Sequence, residues 1–417
     1  MLAASSLSFR QASGPRPIDL RISRTQNPAS RGSRGPRESA IIRGVDGPKK
    51  VLIAGAGVAG LEAALALREL AGDRVSVELV SPDDAFVYRP LSVAAAFHTA
   101  GTERFPLARL IEEAGARLTR AAVQSVDVGR KLVQTTEGDL EYDLLLLAFG
   151  ARPVPRIPGA VTFRGPGDEE AFAQILRDAR EGRVRELAFT MPAGITWPLP
   201  LYELALLTAV DLADAGSNVR LELVTPEERP LQLFGSEASK VVHELLDEHG
   251  IRVRTDTVPL SAENGVLRFV GTGQIEADRV VALPQIEGLR LQGVPHDTNG
   301  FVPTDEHGRV RGADDVFAAG DLTDFPVKQG GLAAQQADAA AESIAAAAGV
   351  QIDPEPFAPV LRGLMLTGLT PRFMRAELGR LESTVDTEPL WWPPGKIAGR
   401  HLGPFLASRL HLSRSAP

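Results

Sequence analysis

Several short stretches of the chain are apolar at every position rather than at alternate ones. Val51-Leu52-Ile53-Ala54 is the first, Leu144-Leu145-Leu146-Leu147 the next, and Val316-Phe317-Ala318-Ala319 the last. Between them lie Arg185–Thr190 and Val219–Val224, which also read as strands, although they carry Arg185, Glu186, Arg220 and Glu222. Continuous apolar runs of this length predict strands covered on both faces, as in a parallel sheet. Ala- and Leu-rich stretches follow three of them: Leu61–Leu67, Tyr202–Ala209, and the segment opened by Gln329-Gly330-Gly331. These read as helices. Strands alternating with helices predict an α/β chain with Rossmann-like parallel sheets. From 345 onward the pattern dissolves into Pro- and Gly-interleaved segments, including Asp353–Gly363 and Leu390–Arg400.

The junction after the first strand carries the chemistry. Gly55-Ala56-Gly57-Val58-Ala59-Gly60 is G-x-G-x-x-G between a strand and a helix, the context in which this motif is informative. One glycine permits the tight turn, one lets backbone approach a pyrophosphate, and one lets helix and strand pack closely. The helix N-terminus adds free N–H groups and the positive end of its dipole. Dinucleotide binding is the reading this supports; a glycine turn that binds nothing is the alternative.

Two distant pieces complete such a site and make FAD the expected dinucleotide. Gly320-Asp321 closes the strand Val316–Ala319, placing a carboxylate where ribityl or ribose hydroxyls can donate to it. The helix start at Gly330, Gly331 and Leu332 can present N–H groups to a flavin carbonyl that turns anionic on reduction. A third strand, Tyr142–Leu147, ends in Ala148-Phe149-Gly150-Ala151.

With these motifs the chain resembles the two-dinucleotide-binding flavoproteins of the pyridine nucleotide–disulfide oxidoreductase superfamily. The nearest branch is that of sulfide:quinone oxidoreductase and type II NADH dehydrogenase, and the likeness covers roughly 48 to 400. Phe149 departs from the small hydroxyl residue usual at the third strand. Ser81-Pro82-Asp83-Asp84-Ala85-Phe86-Val87-Tyr88-Arg89-Pro90 resembles that branch's segment between adenosine and flavin. Ser81, 21 residues after Gly60, stands where most relatives place an acidic residue on the ribose. The resemblance implies FAD held noncovalently by Gly55, Gly57, Ala59, Gly60, Ser81, Arg89, Val123, Gly150, Gly320, Asp321, Gly331 and Leu332, with Val123 beside the adenine. Pro326-Val327-Lys328-Gln329-Gly330 resembles a segment beside the flavin, which implies that Lys328 stabilises the reduced ring. A surface lysine is the plain alternative.

A second dinucleotide-like fold is expected over 161–284. NADH-using relatives have G-x-G-x-x-G after its first strand and a Glu two residues beyond the last glycine. Counting back from Glu203, those glycine positions hold Thr196, Pro198 and Leu201. Side chains replace backbone, and proline offers no N–H. The usual NAD(P)H mode is therefore expected to be lost, leaving a scaffold or an altered entrance for another donor. Glu203 carries over as the residue that places a nicotinamide, or is simply a first-turn carboxylate favoured by the helix dipole.

Composition narrows the chemistry. The 417 residues contain no cysteine, so no redox disulfide, thiol-held sulfur, iron–sulfur cluster or Cys-ligated zinc is available. This excludes disulfide reduction and the sulfur chemistry of the sulfide:quinone branch. The seven His show no metal-ligand spacing, and His243 and His249 are expected to be solvated; no residue is assigned to a metal. The first fifty residues hold ten Lys or Arg against three Asp or Glu, leaving 35 basic and 50 acidic in the body. An acidic body argues against nucleic acid as a partner. No run reaches the roughly 20 apolar residues of a membrane span.

The expected organisation is a disordered basic extension over 1–48, read as a transit peptide or an early-called start. An FAD domain follows over 49–160 and 285–345, split by the second fold at 161–284. A C-terminal cap or membrane-interface region covers 346–417. Trp391 and Trp392 with Lys396, Arg400 and Arg409 suit either an interfacial anchor or a plug over the flavin. The expected function is an FAD-dependent oxidoreductase acting on a quinone-like or other small acceptor. A flavin oxidase of a specialised substrate, and a flavin-binding subunit or sensor, stay open. The expected partners are a small donor and acceptor, with peripheral membrane contact and a homodimer left open. A cytoplasmic location, or the inner face of a membrane, is expected.

Overall fold

The computed structural model describes residues 47–97, 101–378 and 383–409. The expected extension over 1–48 lies outside these, apart from Gly47 and Pro48.

The chain opens with β1 (Lys49–Ala54), α1 (Val58–Ala71), β2 (Val75–Val80), β3 (Arg117–Thr119) and β4 (Leu144–Leu147). It continues with β5 (Val161–Thr162), α2 (Glu169–Arg180), β6 (Glu186–Thr190), α3 (Leu199–Asp214), β7 (Arg220–Val224), α4 (Gly235–Glu248), β8 (Ile251–Arg254) and β9 (Arg279–Ala282). Next come β10 (Val316–Ala318) and α5 (Gly330–Ala347), then the antiparallel strands β11 (Val360–Met365), β12 (Arg372–Glu377) and β13 (Ser383–Asp386), and the short α6 (Leu402–Ala407).

Two five-stranded sheets result, ordered β10-β4-β1-β2-β3 and β5-β9-β6-β7-β8. Every pairing within them is parallel. The second sheet is built wholly from chain between β4 and β10. The apolar runs now have their cause. Val51, Ile53, Leu144 and Leu146 pack under α1 and α5, while Leu52, Leu145, Leu147 and Val316 fill the opposite side. Both faces being covered, neither can alternate with polar residues.

α1 and α5 lie against each other through alanines, among them Ala63, Ala64, Ala337, Ala340 and Ala341. Small side chains let the two backbones approach. This brings the N-termini of both helices to one end of the first sheet, beside the ends of β1, β4 and β10. Ligands of open α/β sheets bind at such strand ends.

The histidines on and after α4 play no part in this. His243 is exposed, and His249 Nδ1 lies 2.8 Å from the Leu245 carbonyl one turn earlier. No helix among the described residues is long and apolar enough to cross a membrane.

Candidate active site

The turn between β1 and α1 is shaped by close approaches. Gly55 has φ +115°, and a Cβ there would lie 2.4 Å from the Ala148 carbonyl oxygen at the end of β4. A Cβ at Gly60 would lie 2.0 Å from the Gly55 carbonyl oxygen. Gly57 differs: it is the N-cap of α1, no side chain caps the helix, and a Cβ there would meet nothing. The first N–H groups of α1 thus open onto empty space.

That space is a cavity of about 880 Å³, at the upper end of small-molecule and cofactor sites. Of the residues expected at the cofactor, Gly55, Gly57, Ala59, Ser81 and Arg89 line it. Val123, Gly150, Gly320 and Asp321 line it as well. Asp83 and Asp84 stand beside Ser81 on the same wall. Gly60 sits behind the wall as packing. Gly331 and Leu332 do not line the cavity, whereas Gly330 does. The Leu332 N–H, expected to face the flavin, donates instead to Gln329 Oε1 (2.9 Å), the N-cap of α5.

A smaller pocket of about 260 Å³ shares Arg89, Pro90, Ala151, Asp321 and Gly330 with the large cavity, so the two are contiguous. Its far walls come from the second fold (Ile195, Trp197, Leu283) and from β11 (Arg362, Leu364). Lys328 lines this pocket and is only 6% exposed. Its Nζ donates to the Phe325 carbonyl (2.7 Å) and the Thr323 carbonyl, and lies 3.9 Å from the centre of the Phe301 ring. Burial lowers the Lys328 amine to about 8, with Asp321 pulling it back up. Burial likewise raises the Asp321 carboxyl, against the pull of Lys328 and Arg89. Opposed shifts of this kind mark a charged pair held partly out of water at a boundary between two cavities.

Glu203 also lines the smaller pocket, in a setting the chain pattern did not suggest. It accepts from the Leu366 N–H (2.8 Å) and from Lys396 Nζ, an ion pair that joins α3 to the C-terminal segment. Burial raises its carboxyl, and Lys396 opposes that rise. Next to Lys396, the Ile397 N–H donates to the Tyr88 hydroxyl (3.1 Å), and Ile397 lines the large cavity. The Glu62 carboxylate on α1 then accepts from the N–H groups of His401 and Leu402 (both 2.7 Å), capping α6. The segment 396–402 is therefore strapped across both cavities. Trp391 packs edge-on against Phe373 and donates to the Gly395 carbonyl (3.0 Å), while Trp392 is 59% exposed.

Carboxyl and imidazole atoms of Glu62, Asp338 and His401 lie within 4.8 Å of one another. Burial and the neighbouring Glu62 hold the Asp338 carboxyl well above the usual carboxylate range.

The strand–helix turn of the second fold has a different form. Pro198 is the N-cap of α3, Pro200 has no N–H, and the Leu201 N–H donates to the Pro198 carbonyl (3.0 Å). Little is left for a phosphate. Beyond β7, where a second nucleotide fold would offer a carboxylate to a ribose, Glu227 is buried and accepts from Tyr202 Oη (2.5 Å) and Thr225 Oγ1 (3.0 Å). Trp197 packs on Phe234 with ring centres 5.8 Å apart, filling space above the loop.

Two parallel sheets of this order, with a glycine-turn cavity at the strand ends of the first, define a dinucleotide-binding oxidoreductase fold. Residues 49–343 match the pyridine nucleotide-disulphide oxidoreductase family, and the chain belongs to it. Among similar proteins is the external alternative NAD(P)H-ubiquinone oxidoreductase B4, mitochondrial, of Arabidopsis thaliana, 24% identical over 66% of this chain and 54% of that protein. Apoptosis-inducing factor 3 of Mus musculus is 30% identical over 66% of this chain and 46% of its own. The chain thus spans about half the length of these two relatives. In fold it is similar to the sulfide:quinone oxidoreductase of Aquifex aeolicus, with TM-score 0.76, 19% identity, and 87% of this chain covering 95% of that one.

The family is one of oxidoreductases. The first cavity fits FAD: its uncapped helix N-terminus, open Gly57 and strand-end Asp321 match a pyrophosphate and a ribityl chain. The second turn does not fit the usual nucleotide mode, for the reasons just given.

Sequence patterning missed Arg362, Lys396, Tyr88 and Glu62 as members of this site. Lys396 stood out only as one of several C-terminal cations. Nothing local links it to Glu203, and a buried Glu within the apolar α1 was the one available signal for a polar contact across the fold.

Proposed function

We propose that the protein is an FAD-dependent oxidoreductase that exchanges electrons with a quinone-like or other small molecule in the 260 Å³ pocket. The observation that carries this is the contiguity of that pocket with the cofactor cavity at Arg89, Asp321 and Gly330. The quinone named for the Arabidopsis relative supports the substrate class. Bound FAD supplies a two-electron redox couple. The protein's part is placement and charge. The α1 N-terminus and Gly57 seat the pyrophosphate, and Asp321 accepts from a hydroxyl of the ribityl chain. Lys328 offers a positive charge beside the ring position, in a site kept dry by Trp197, Leu364 and the strap. No thiol takes part. The second sheet serves as a wall of the pocket rather than as a nucleotide site, and the reductant is a small molecule that enters the same pocket.

The test is anaerobic. NADH and NADPH at submillimolar concentration should leave the yellow protein oxidised, and a soluble quinone should reoxidise the dithionite-reduced protein with one hydroquinone formed per flavin. Rapid bleaching by either nucleotide overturns the account of the second fold. Failure to take up FAD overturns the whole reading.

A further inference from the structure

The charges lining the small pocket do not balance. Five cationic side chains, Arg89, Arg164, Lys328, Arg362 and Lys396, face two acidic ones, Glu203 and Asp321. Lys396 is paired with Glu203. Arg164 is held in a fork by Asp168, with Nε to Oδ2 at 3.0 Å and Nη2 to Oδ1 at 2.6 Å. Lys328 and Arg89 both face Asp321. Arg362 adds a further unmatched charge: among the described residues its guanidinium has no hydrogen bond and no ion pair.

Its position makes that costly. Arg362 on β11 stands directly opposite Arg375 on β12 in the strand register, and like charges so placed destabilise a sheet. Arg375 has Glu377 at 3.2 Å; Arg362 has no such relief. It is not a solvated surface arginine either, since it is half-buried, and burial together with Arg375 disfavours its charge. On the same strand Gly363 turns the other way, toward Phe234. Arg362 and Leu364 are thus the two β11 side chains directed at the pocket, one cationic and one apolar. An uncompensated charge kept at a cavity wall is the kind of local conflict expected where a ligand supplies the missing partner.

We propose that the small pocket binds a mainly apolar molecule bearing one carboxylate, and that Arg362 receives the carboxylate while Ile195, Trp197, Leu283 and Leu364 contact the remainder. This rests on the reading of that pocket as the substrate site and narrows the substrate class to anions. The guanidinium matches a carboxylate through two parallel N–H donors, which a neutral isostere cannot reproduce.

Benzoate and benzamide serve as probes, being of one size and differing in charge. Calorimetric titration of the full chain carrying its FAD should show benzoate binding at least tenfold tighter than benzamide. Arg362→Gln should remove that preference by weakening benzoate alone, and Arg362→Lys should restore part of it. Unchanged benzamide affinity in Arg362→Gln shows that the pocket is intact. Equal affinities in the wild type, no benzoate binding, or a preference that survives Arg362→Gln each overturn the proposal. Calorimetry requires no flavin signal, and FAD content is read from the visible spectrum of the same sample. A colourless protein that still prefers benzoate would overturn the flavin reading and leave this one standing.

Discussion

Glu203 and Lys396, 193 positions apart, form an ion pair whose side chains are 2% and 6% exposed. The carboxylate lies one turn into α3, which begins at Leu199, so it is not the first-turn carboxylate the chain pattern suggested; the ammonium belongs to the strap that also touches the large cavity. Removing one member leaves the other charged and out of water, which typically costs about 3–5 kcal/mol. Glu203→Gln and Lys396→Met should each lower unfolding free energy by a large part of that amount. The double variant should recover much of the loss. Urea unfolding of all four proteins measures this, and additive losses would show that the two residues do not interact.

The three glycines of the first turn should behave differently. Gly60→Ala places a methyl group 2.0 Å from backbone and should destabilise the apoprotein outright. Gly55→Ala adds a φ of +115° to a similar clash and should do the same. Gly57→Ala meets nothing in the protein and should leave apoprotein stability within about 0.5 kcal/mol of wild type. Its FAD affinity should fall at least tenfold, because the methyl group enters the cavity. Thermal unfolding of the apoproteins and flavin titration separate the two effects.

Lys328 should leave a mark on stability at alkaline pH. Its amine titrates near 8 in the folded protein and near its ordinary 10.5 when unfolded. Between those values the unfolded chain binds more protons, so this residue's contribution to stability rises with pH. Relative to Lys328→Met, the wild type should gain on the order of 2 kcal/mol between pH 7.5 and 10. Chemical unfolding of both proteins at the two pH values measures this, and a constant difference between them would contradict it.

Asp338 should act in the opposite sense. Its raised carboxyl, facing Glu62, Glu342, Arg400 and His401, keeps a proton that the unfolded chain has already lost above its ordinary 3.8. Stability from this group is greatest at acid pH and declines as pH rises toward the folded value. Asp338→Asn keeps a hydrogen-bond donor to Glu62 without titrating. It should flatten the decline, raising the midpoint of thermal unfolding relative to wild type at pH 8 and lowering the advantage at pH 5. Parallel pH profiles would contradict the raised Asp338 carboxyl.

Much of the first sheet was legible because its signals are local. Val51–Ala54 is apolar on both faces, Gly55 and Gly60 each answer a contact within a few residues or one neighbouring strand, and Gly57 opens onto the cavity. The second fold was legible to the same degree, and the proline loop at 191–201 was enough to cast doubt on its nucleotide turn. The locking of Glu227 by Tyr202 was not visible, since a carboxylate after a strand reads alike whether free or bonded. The C-terminal segment was the least legible. Its Trp, Lys and Arg suited an anchor or a plug equally well, because their partners (Phe373, Glu203, Glu342 and Glu113) lie elsewhere in the sequence. Leu332 shows the converse: a helix-start N–H looked available, and a single glutamine one turn back had already taken it.

The strap at 396–402 is synthesised after every residue of the glycine turn and of both sheets. Until it docks, the large cavity lacks Ile397 and the small one lacks Lys396, so one short segment completes the walls of both. Glu203, Tyr88 and Glu62 hold that segment from three separate parts of the chain.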